Sequence, residues 1–384
     1  MKRLVVFSHK LFRQTPRGLQ TTGGFTVQMD VLADWFELVT LCVPIVEDME
    51  FQGASINATN INFHQLPAFR GRIDFIKSSP RIRQEMLCTL QNADLALTIL
   101  PSYLGTLAGV VCQRRHFPLF YWVVGNPEQS VVSHKNNPLA YWFADHITKH
   151  VSTYLIKRLT RDMLTFYNGR IFYDQGKPYH YTRISSSIHT EDIYIRDAST
   201  SQNLAPNLLF VGRLSPDKGL SELLEAFAQL RHEFNQARLH IVGSGPEENF
   251  LYQQVQDLSI AGKVTFHGFV PQGEPLRKIY RQSDILIVPS LQDLTPKVIL
   301  EGMAQSLPVV STDVGEIPSL IQDGLNGLLI SPGHPFEIER ACKQILTDNE
   351  LRQRLVSEGL KFAKAHTVES ETESMMKLVE AHFN

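Results

Sequence analysis

The strongest constraint on the fold is the regular alternation of buried strands and amphipathic helices in the second half of the chain. Apolar runs at 207–212, 238–243, 284–288 and 308–311 have the length and composition of strands, and stretches with helical spacing separate them. Strands that alternate with helices form parallel sheets whose two faces are both covered. The pattern therefore predicts a doubly wound α/β domain.

The first half shows the same alternation less regularly. Apolar runs at 4–7, 38–43, 93–100 and 118–124 predict strands, and helical spacing lies between them. We therefore expect an α/β protein built from two Rossmann-like doubly wound domains in tandem, which face each other across a cleft.

The length of 384 residues allows two domains, each with its own core. A polar stretch at 197–203 lacks apolar periodicity and predicts the boundary. We expect one domain over 1–200, a second over 201–365, and a C-terminal helix over 366–384 that packs back on the first domain.

Three segments of the first half give ambiguous patterns. The first strand is followed by a polar loop that contains Gly18, Gly23 and Gly24. Residues 154–166 are predicted to be helical, and residues 181–192 are polar and predicted to be irregular.

The charge of the chain is unevenly distributed. The formal net charge is -2, but Lys and Arg outnumber Asp and Glu by 21 to 16 in residues 1–200 and are outnumbered by 16 to 23 in the rest. The basic first half could rest on the anionic inner face of a membrane, although scattered solvated charge would give the same counts. Nothing in the pattern indicates a nucleic-acid partner.

The sequence predicts a cytoplasmic protein. Only four apolar residues follow Met1-Lys2-Arg3 before polar residues resume, which is too short for a signal peptide. No run of 18 apolar residues exists, and the four cysteines lack the spacing of a metal site or a disulfide framework. The expected location is the cytoplasm, with peripheral contact at the inner membrane face as an option.

Two carboxylates, Asp293 and Glu301, flank the start of a predicted helix. A buried strand ends at Val288, Thr295 is predicted to cap the helix, and Pro296 to occupy its first position. Ligands of open α/β sheets bind at the carboxyl ends of strands, and a helix N-terminus there favours phosphate. The acids could accept hydrogen bonds from sugar hydroxyls; alternatively, they are a capping acid and a solvated helix face.

Three glycine-containing turns follow other strands of the second half. The first carries two cations, Arg213 and Lys218, which suit a pyrophosphate but are also common on surface loops. The second contains Gly243 in a Gly-Ser-Gly-Pro turn, a weak signal by itself. The third is His267-Gly268, where backbone contact with a flat ring is expected and His267 could be only structural.

Together these features resemble the retaining GT-B glycosyltransferases of family 4, which use nucleotide sugars. The resemblance covers nearly all of residues 205–335. It rests on these motifs: Gly212-Arg213, Asp217-Lys218-Gly219, Gly243-Ser244-Gly245-Pro246, Val264-Thr265-Phe266-His267-Gly268, Ser283 to Ser290, Glu301-Gly302-Met303-Ala304, Leu307-Pro308-Val309-Val310 and Asp323 to Leu329. The implied fold is GT-B, with an acceptor-binding first domain and a second domain that binds the nucleotide sugar.

The resemblance also implies roles for individual residues. Catalytic roles fall to Asp293, which would face the transferred sugar, and to Arg213 and Lys218, which would bind the donor diphosphate; Asn126 is a further catalytic candidate on its own chemistry. Within the donor site, Glu301 would bind the ribose hydroxyls, and the Lys297 and Val298 amides would bind the distal phosphate. The full set of implied donor-binding residues is Gly23, Gly24, Arg213, Lys218, Gly243, His267, Gly268, Lys297, Val298 and Glu301.

The chain departs from the family pattern at three places, one of which is Glu316, which stands where a second glycine is usual after Gly315. Asp293 stands where a glutamate is usual, and Leu294-Thr295-Pro296 replaces a glycine-aromatic-glycine sequence, so the sugar pocket should differ. Gly125-Asn126-Pro127-Glu128 stands where many members carry a histidine. Asn126 can still donate a hydrogen bond to a sugar hydroxyl.

The resemblance implies a retaining glycosyltransferase, with a hexose as the expected sugar. The sequence has no acidic DxD triplet on a loop, so metal-independent chemistry is expected. The nucleoside diphosphate sugar would be a co-substrate, and no cofactor is expected; the acceptor would be a carbohydrate, a lipid-linked molecule or a small molecule. The competing hypotheses are a GT-B isomerase or phosphorylase and a catalytically degenerate GT-B protein that binds nucleotides or serves as a partner subunit.

Overall fold

The computed structural model describes residues 2–48, 51, 53–69, 71–124, 150–170, 176–196, 205–293 and 295–383. The chain forms two units: unit 1 comprises Met1–Ile184 and Glu371–Asn384, and unit 2 comprises Ser185–Ser370. The boundary after Ile184 comes before the polar stretch at 197–203, because the residues between them bond to unit 2. Tyr194 N–H donates to the Ala304 carbonyl at 2.8 Å, and the Arg196 guanidinium donates to the Ser283 carbonyl at 2.7 Å.

Unit 1 contains a mostly parallel sheet and five helices within the described residues. Its strands are β1 Arg3–Phe7, β2 Phe12–Thr15, β3 Gly18–Thr21, β4 Leu38–Glu47, β5 Ala54–Ser55, β6 Ile61–Leu66, β7 Leu95–Leu100, β8 Leu119–Val123, β9 Thr165–Asn168 and β10 His180–Arg183. Its helices are α1 Phe25–Ala33, α2 Gly71–Leu90, α3 Tyr103–Arg114, α4 over 150–160, and α12 Val368–Phe383.

The sheet of unit 1 reverses its strand order at β1. The parallel part runs β6-β4-β1-β7-β8-β9-β10. The last residues of β4 also pair with β2, which pairs with β3, and β3 pairs with β5. Its central strands are buried on both faces, as expected of strands covered by helices on each side.

Three expectations for unit 1 were wrong. The polar loop after β1 contains the β2–β3 hairpin. The helix predicted over 154–166 gives way to β9 at Thr165, and residues 180–183, most of which were predicted to be irregular, form β10. β10 was missed because its sequence has no apolar pattern: His180 is buried with its Nε2 2.9 Å from the Thr160 carbonyl, and the buried Arg183 guanidinium lies 4.3 Å from the Trp122 ring centre.

Unit 2 contains a second parallel sheet and a second set of helices. Its strands are β11 Asn207–Val211, β12 Arg238–Val242, β13 Val264–Phe266, β14 Ile285–Val288, β15 Val309–Thr312 and β16 Leu328–Ile330. Its helices are α5 Leu220–Leu230, α6 Glu248–Asp257, α7 Glu274–Gln282, α8 Lys297–Ala304, α9 Ile317–Leu320, α10 Pro335–Thr347 and α11 Asn349–Ala365, with short 3-10 turns at Thr190–Asp192, Pro216–Lys218 and Ala261–Lys263.

Helix α12 contributes to the core of unit 1. Met375, Met376 and Val379 are at most 3% exposed and pack in the same apolar cluster as Leu4 and Val6 of β1. Across the described ranges, no helix is long and apolar enough to cross a membrane.

We predict that Met376→Ala destabilises unit 1 by about 2–4 kcal/mol, because it leaves a cavity in a closed core. Urea unfolding followed by circular dichroism measures the change. The control is Glu380→Ala on the exposed face of the same helix, which should change stability by less than about 0.5 kcal/mol. Equal effects of the two substitutions would contradict the packing of α12 in this core.

Candidate active site

The candidate site of unit 2 lies where the strand order of its sheet reverses. The order is β13-β12-β11-β14-β15-β16, so the chain runs outward from β11 to β13 and then returns to β14 on the other side of β11. Loops that leave adjacent strands in opposite directions form a crevice, and ligands of such sheets bind there. The loops after β11 and β14 carry Arg213, Lys218 and Asp293.

The structure brings these three side chains into one ionic cluster. Lys218 Nζ lies 2.6 Å from Asp293 Oδ2 and 3.3 Å from Asp217 Oδ2. Arg213 Nη2 lies 3.6 Å from Asp217 Oδ1, and its Nε donates to the Ser215 hydroxyl at 3.2 Å. Backbone bonds join the two loops as well, since the Asp217 carbonyl accepts from Leu291 N–H at 2.8 Å.

The cluster is formally neutral, with two cations and two carboxylates. Burial works against ionisation of Asp217, but the Ser215 hydroxyl and Lys218 outweigh it and hold the pKa of Asp217 below its usual value. Lys218 is mostly buried, whereas the Arg213 side chain is 68% exposed. Arg213 is therefore the cation that can most easily turn towards an anionic ligand.

Glycines without space for a side chain hold these loops together. Gly219 has φ +67°, and a Cβ there would lie 1.9 Å from the Pro289 carbonyl oxygen. A Cβ at Gly243 would lie 1.8 Å from the Gly212 carbonyl oxygen, and one at Gly245 would lie 2.2 Å from that of Leu214. Packing between loops therefore explains why position 243 is a glycine. Its contact with the donor stays a prediction.

Helix α8 begins one residue later than predicted. Pro296, not Thr295, occupies the cap position, with φ −67° and ψ 111°, and the helix starts at Lys297. Pro296 cannot donate, but the first N–H groups of any helix lack intrahelical acceptors. Lys297 and Val298 lie in this first turn, the end of a helix at which anions bind.

Glu301, on the second turn of α8, is held by three side chains. Its Oε1 accepts from the Ser187 hydroxyl at 2.9 Å and from Gln272 Nε2 at 3.1 Å, and its Oε2 accepts from the Tyr280 hydroxyl at 3.0 Å. Burial is the main cause that raises the pKa of Tyr280 far above its usual value, and the neighbouring Glu301 carboxylate raises it further. The phenol therefore remains a donor. These bonds fix the orientation of the carboxylate.

His267 pairs with another histidine. Its Nε2 lies 3.0 Å from His240 Nδ1, and burial lowers the pKa of both rings, so the pair is neutral near pH 7. The Gly268 carbonyl accepts from Gly243 N–H at 2.8 Å, which links the turn after β13 to the turn after β12. Within the described parts of the chain, no three His, Cys, Asp or Glu side chains are placed to hold a metal ion.

The predicted site residues of the first half belong to unit 1. Gly23 has φ +71°, a conformation that favours glycine, and Gly24 caps helix α1. The Lys10 amine lies beside this turn and donates to the Thr22 hydroxyl at 3.4 Å; burial, with a smaller effect of Arg13, lowers its pKa. Asn126 lies outside the described residues.

The structure thus joins Arg213, Lys218 and Asp293 in one cluster and gives Glu301 and His267 separate hydrogen-bonding partners. The sequence reasoning missed the three residues that hold Glu301, namely Ser187, Gln272 and Tyr280. Each comes from a different segment, so no local motif connects them with Glu301. It also missed Lys10, whose only sequence signal was a position just after the first strand.

The comparisons with known proteins concern mainly unit 2. Residues 194–362 match the family model described as glycosyl transferases group 1. An uncharacterized glycosyltransferase of Methanocaldococcus jannaschii is 30% identical over 230 residues, which cover 57% of this chain and 58% of the relative. The matches cover between 39% and 58% of the first three curated relatives. These findings show that residues 194–362 are similar to the group 1 glycosyl transferases and that the chain spans about half the length of the curated relatives it matches.

Similar solved structures extend over both units. Sucrose-phosphate synthase from Thermosynechococcus elongatus has a TM-score of 0.71 at 17% identity and covers 100% of this chain and 99% of its own. HepE from Anabaena, solved with UDP, has a TM-score of 0.71 at 16% identity and covers 99% of this chain and 100% of its own. At these identities the likeness shows the fold alone, and it confirms the predicted α/β fold of GT-B type.

We predict that Gly219→Ala destabilises unit 2 more than Gly268→Ala does. Both glycines have φ near +65°, so both substitutions carry the same backbone strain of about 1 kcal/mol. Only Gly219 has a carbonyl oxygen where the Cβ would stand, and relieving that overlap should add about 1–3 kcal/mol. Urea unfolding of the two variants measures the difference; equal losses would show that the loops separate freely.

Proposed function

We propose that this protein is a glycosyltransferase that moves a sugar, expected to be a hexose, from a nucleoside diphosphate sugar to an acceptor hydroxyl with retention at the anomeric carbon. The observation that carries the proposal is the Arg213–Asp217–Lys218–Asp293 cluster at the strand-order reversal of unit 2. It places cations and a carboxylate together where such sheets bind nucleotides.

The reaction requires a diphosphate to leave with its bonding electrons. Charge then develops on the bridging oxygen, and prearranged cations stabilise it more strongly than they stabilise the donor. Lys218 and Arg213 would supply this stabilisation, and the first-turn amides of α8 at Lys297 and Val298 would hold the distal phosphate. No step in this scheme requires a metal ion or a cofactor.

The neutral cluster sets a condition on donor binding. A diphosphate adds negative charge, so Lys218 must share its proton donors between the ligand and Asp293, which lies 2.6 Å away. A sugar hydroxyl can then take the place of the lysine as the donor to Asp293. Binding of the diphosphate and orientation of the sugar would therefore be coupled through one ion pair.

Retention follows if the acceptor attacks from the face that the diphosphate leaves. The bond from the anomeric carbon to the phosphate oxygen breaks, and a bond from that carbon to the acceptor oxygen forms. The departing phosphate oxygen is then the nearest base, so it takes the acceptor proton. Asp293 would orient the sugar during the exchange.

Glu301 is proposed to bind the ribose hydroxyls. Its carboxylate is already oriented by Ser187, Gln272 and Tyr280, so little further ordering is needed on binding. Ribose lies far from the breaking bond, so this contact would strengthen donor binding rather than accelerate the chemical step. HepE from Anabaena has been solved with UDP-glucose, which supports a nucleotide-sugar donor for a protein of this fold.

The proposed roles of unit 1 are acceptor binding and contact with the donor through the turn at Gly23 and Gly24. The Lys10 amine beside that turn could attract an anionic donor or acceptor. Asn126 remains a proposed ligand of the transferred sugar.

The direct test combines donor binding with product analysis. Melting temperatures would be measured with UDP, GDP and ADP and with their sugars, since a ligand at about 100 times its dissociation constant stabilises by about 2.7 kcal/mol. The best donor would then be incubated with a panel of acceptors, and NMR would give the anomeric configuration of the product. Inversion would contradict the proposed mechanism, and nucleotide binding without transfer would favour a degenerate partner subunit.

We predict that Lys218→Ala lowers kcat/KM roughly 30- to 1,000-fold, because it removes a charge that stabilises the departing diphosphate. This loss corresponds to about 2–4 kcal/mol of transition-state stabilisation. Steady-state kinetics with varied donor measure the loss. Lys278→Ala, an exposed lysine on α7, is the control and should leave kcat/KM unchanged. Full activity of both Lys218→Ala and Glu301→Ala would refute the assigned site.

We predict that Tyr280→Phe raises the KM for the donor roughly 10- to 150-fold and leaves kcat nearly unchanged. The ring still fills its buried position, but Glu301 loses one of its donors, and a bond to a charged group contributes about 1.5–3 kcal/mol. Tyr252→Phe on α6, where the ring is 45% exposed, is the matched control. A fall in kcat with an unchanged KM would contradict a ribose-binding role for Glu301.

A further inference from the structure

A groove with a volume of about 300 Å³ lies between helices α2 and α3 of unit 1. Its floor is apolar and includes Leu87 of α2 with Leu107 and Val110 of α3. Three arginines line it: Arg83, Arg114 and Arg115. An apolar floor beside several guanidinium groups matches a ligand that has an anionic head and an apolar body.

The same face of α2 continues beyond the groove as exposed apolar surface. Ile73 and Ile76 are 74% and 67% exposed, and they precede Pro80, Arg83 and Leu87 at alternating spacings of three and four residues. Pro80 cannot donate to the Ile76 carbonyl, but the Ser79 hydroxyl does so at 2.8 Å, which keeps this face of the helix hydrogen-bonded. One continuous face therefore carries two exposed isoleucines followed by the arginine-lined groove.

The charge around this face is strongly positive. Helices α2 and α3 with Arg115 contain six Lys or Arg residues and two Asp or Glu residues. Lys77, Arg81, Arg83, Arg114 and Arg115 are all exposed, and in the described part of the chain none of them has an ion-pair partner. Of the two carboxylates, Glu85 is paired with His64 at 3.1 Å.

Helix α4 extends the surface with the same composition. It packs in the same apolar cluster as α2 and α3, and its Leu159 carbonyl accepts from Gln113 of α3 at 2.7 Å. Val151 and Tyr154 are 50% and 62% exposed, and Arg158 is exposed one turn further along the helix. Basic and apolar side chains therefore alternate across the outer side of three adjacent helices.

We propose that this basic-apolar face, formed by α2, α3 and α4, binds the surface of an anionic lipid bilayer, with a lipid phosphate in the groove between α2 and α3. Unpaired cations attract an anionic surface, each lowering the free energy of binding while it stays near the lipid phosphates. A soluble phosphate would give no reason for Ile73 and Ile76 to be exposed on the same face, whereas a bilayer buries such side chains at its interface. The proposal does not depend on the transfer reaction.

The test is sedimentation of the full chain with vesicles. We expect binding to phosphatidylcholine vesicles that contain phosphatidylglycerol and little binding to phosphatidylcholine alone. The triple variant Arg83→Gln, Arg114→Gln, Arg115→Gln should bind about a hundredfold more weakly, since each basic residue near an anionic surface contributes about fivefold. The double variant Ile73→Ser, Ile76→Ser should bind at least about tenfold more weakly.

Matched changes on unit 2 serve as controls. The control triple variant removes the same amount of charge from three exposed positions; it combines Arg340→Gln, Lys364→Gln and Lys278→Gln. The apolar control is Phe336→Ser, which removes a side chain that is 72% exposed. Both controls should bind like the original chain. Absence of binding to anionic vesicles, or equal weakening by the control triple, overturns the proposal. Release from vesicles by millimolar inorganic phosphate or glycerol phosphate would also overturn it and would assign the groove to a free anion.

Discussion

The candidate site of unit 2 depends on contact between backbones, with no side chain in between. Gly219 lies directly against the Pro289 carbonyl, and Gly243 lies against that of Gly212. These contacts draw together the loops after β11, β12 and β14, and the loop after β13 joins them through the Gly243–Gly268 hydrogen bond. The distance of 2.6 Å between Lys218 and Asp293 is a result of that close packing, because the two residues are far apart in sequence.

The two parts of the site are prepared in different ways. Around Lys218, opposite charges cancel, so a ligand must exchange partners with groups that are already satisfied. Glu301 instead accepts three hydrogen bonds while its own charge is left without a cation among the contacts described for it. The first arrangement makes binding selective for a ligand that replaces several bonds at once, and the second fixes a carboxylate in place before the ligand arrives.

The sequence was informative where a feature was local. The strands of unit 2, the cation loop and the acid beside α8 could each be located from a few consecutive residues, and the strand-order reversal explains why they meet. The partners of Glu301 could not be predicted, since Ser187 and Tyr280 are brought to it only by tertiary packing. Strand β10 was missed for a related reason: buried polar residues such as Arg183, which lies over Trp122, leave no apolar alternation. The N-cap of α8 was misplaced by one residue, within the usual uncertainty of helix ends.

Helix α12 has a consequence for the order in which the chain can fold during synthesis. Unit 1 takes its core from two segments, Met1–Ile184 and Glu371–Asn384, that are separated by the whole of unit 2. A ribosome therefore delivers every residue of unit 2 before it delivers Met375, Met376 and Val379, which close the core of unit 1. Domains generally fold as units when their residues emerge. Here the later unit can be complete while the earlier one still exposes the apolar surface that α12 will cover.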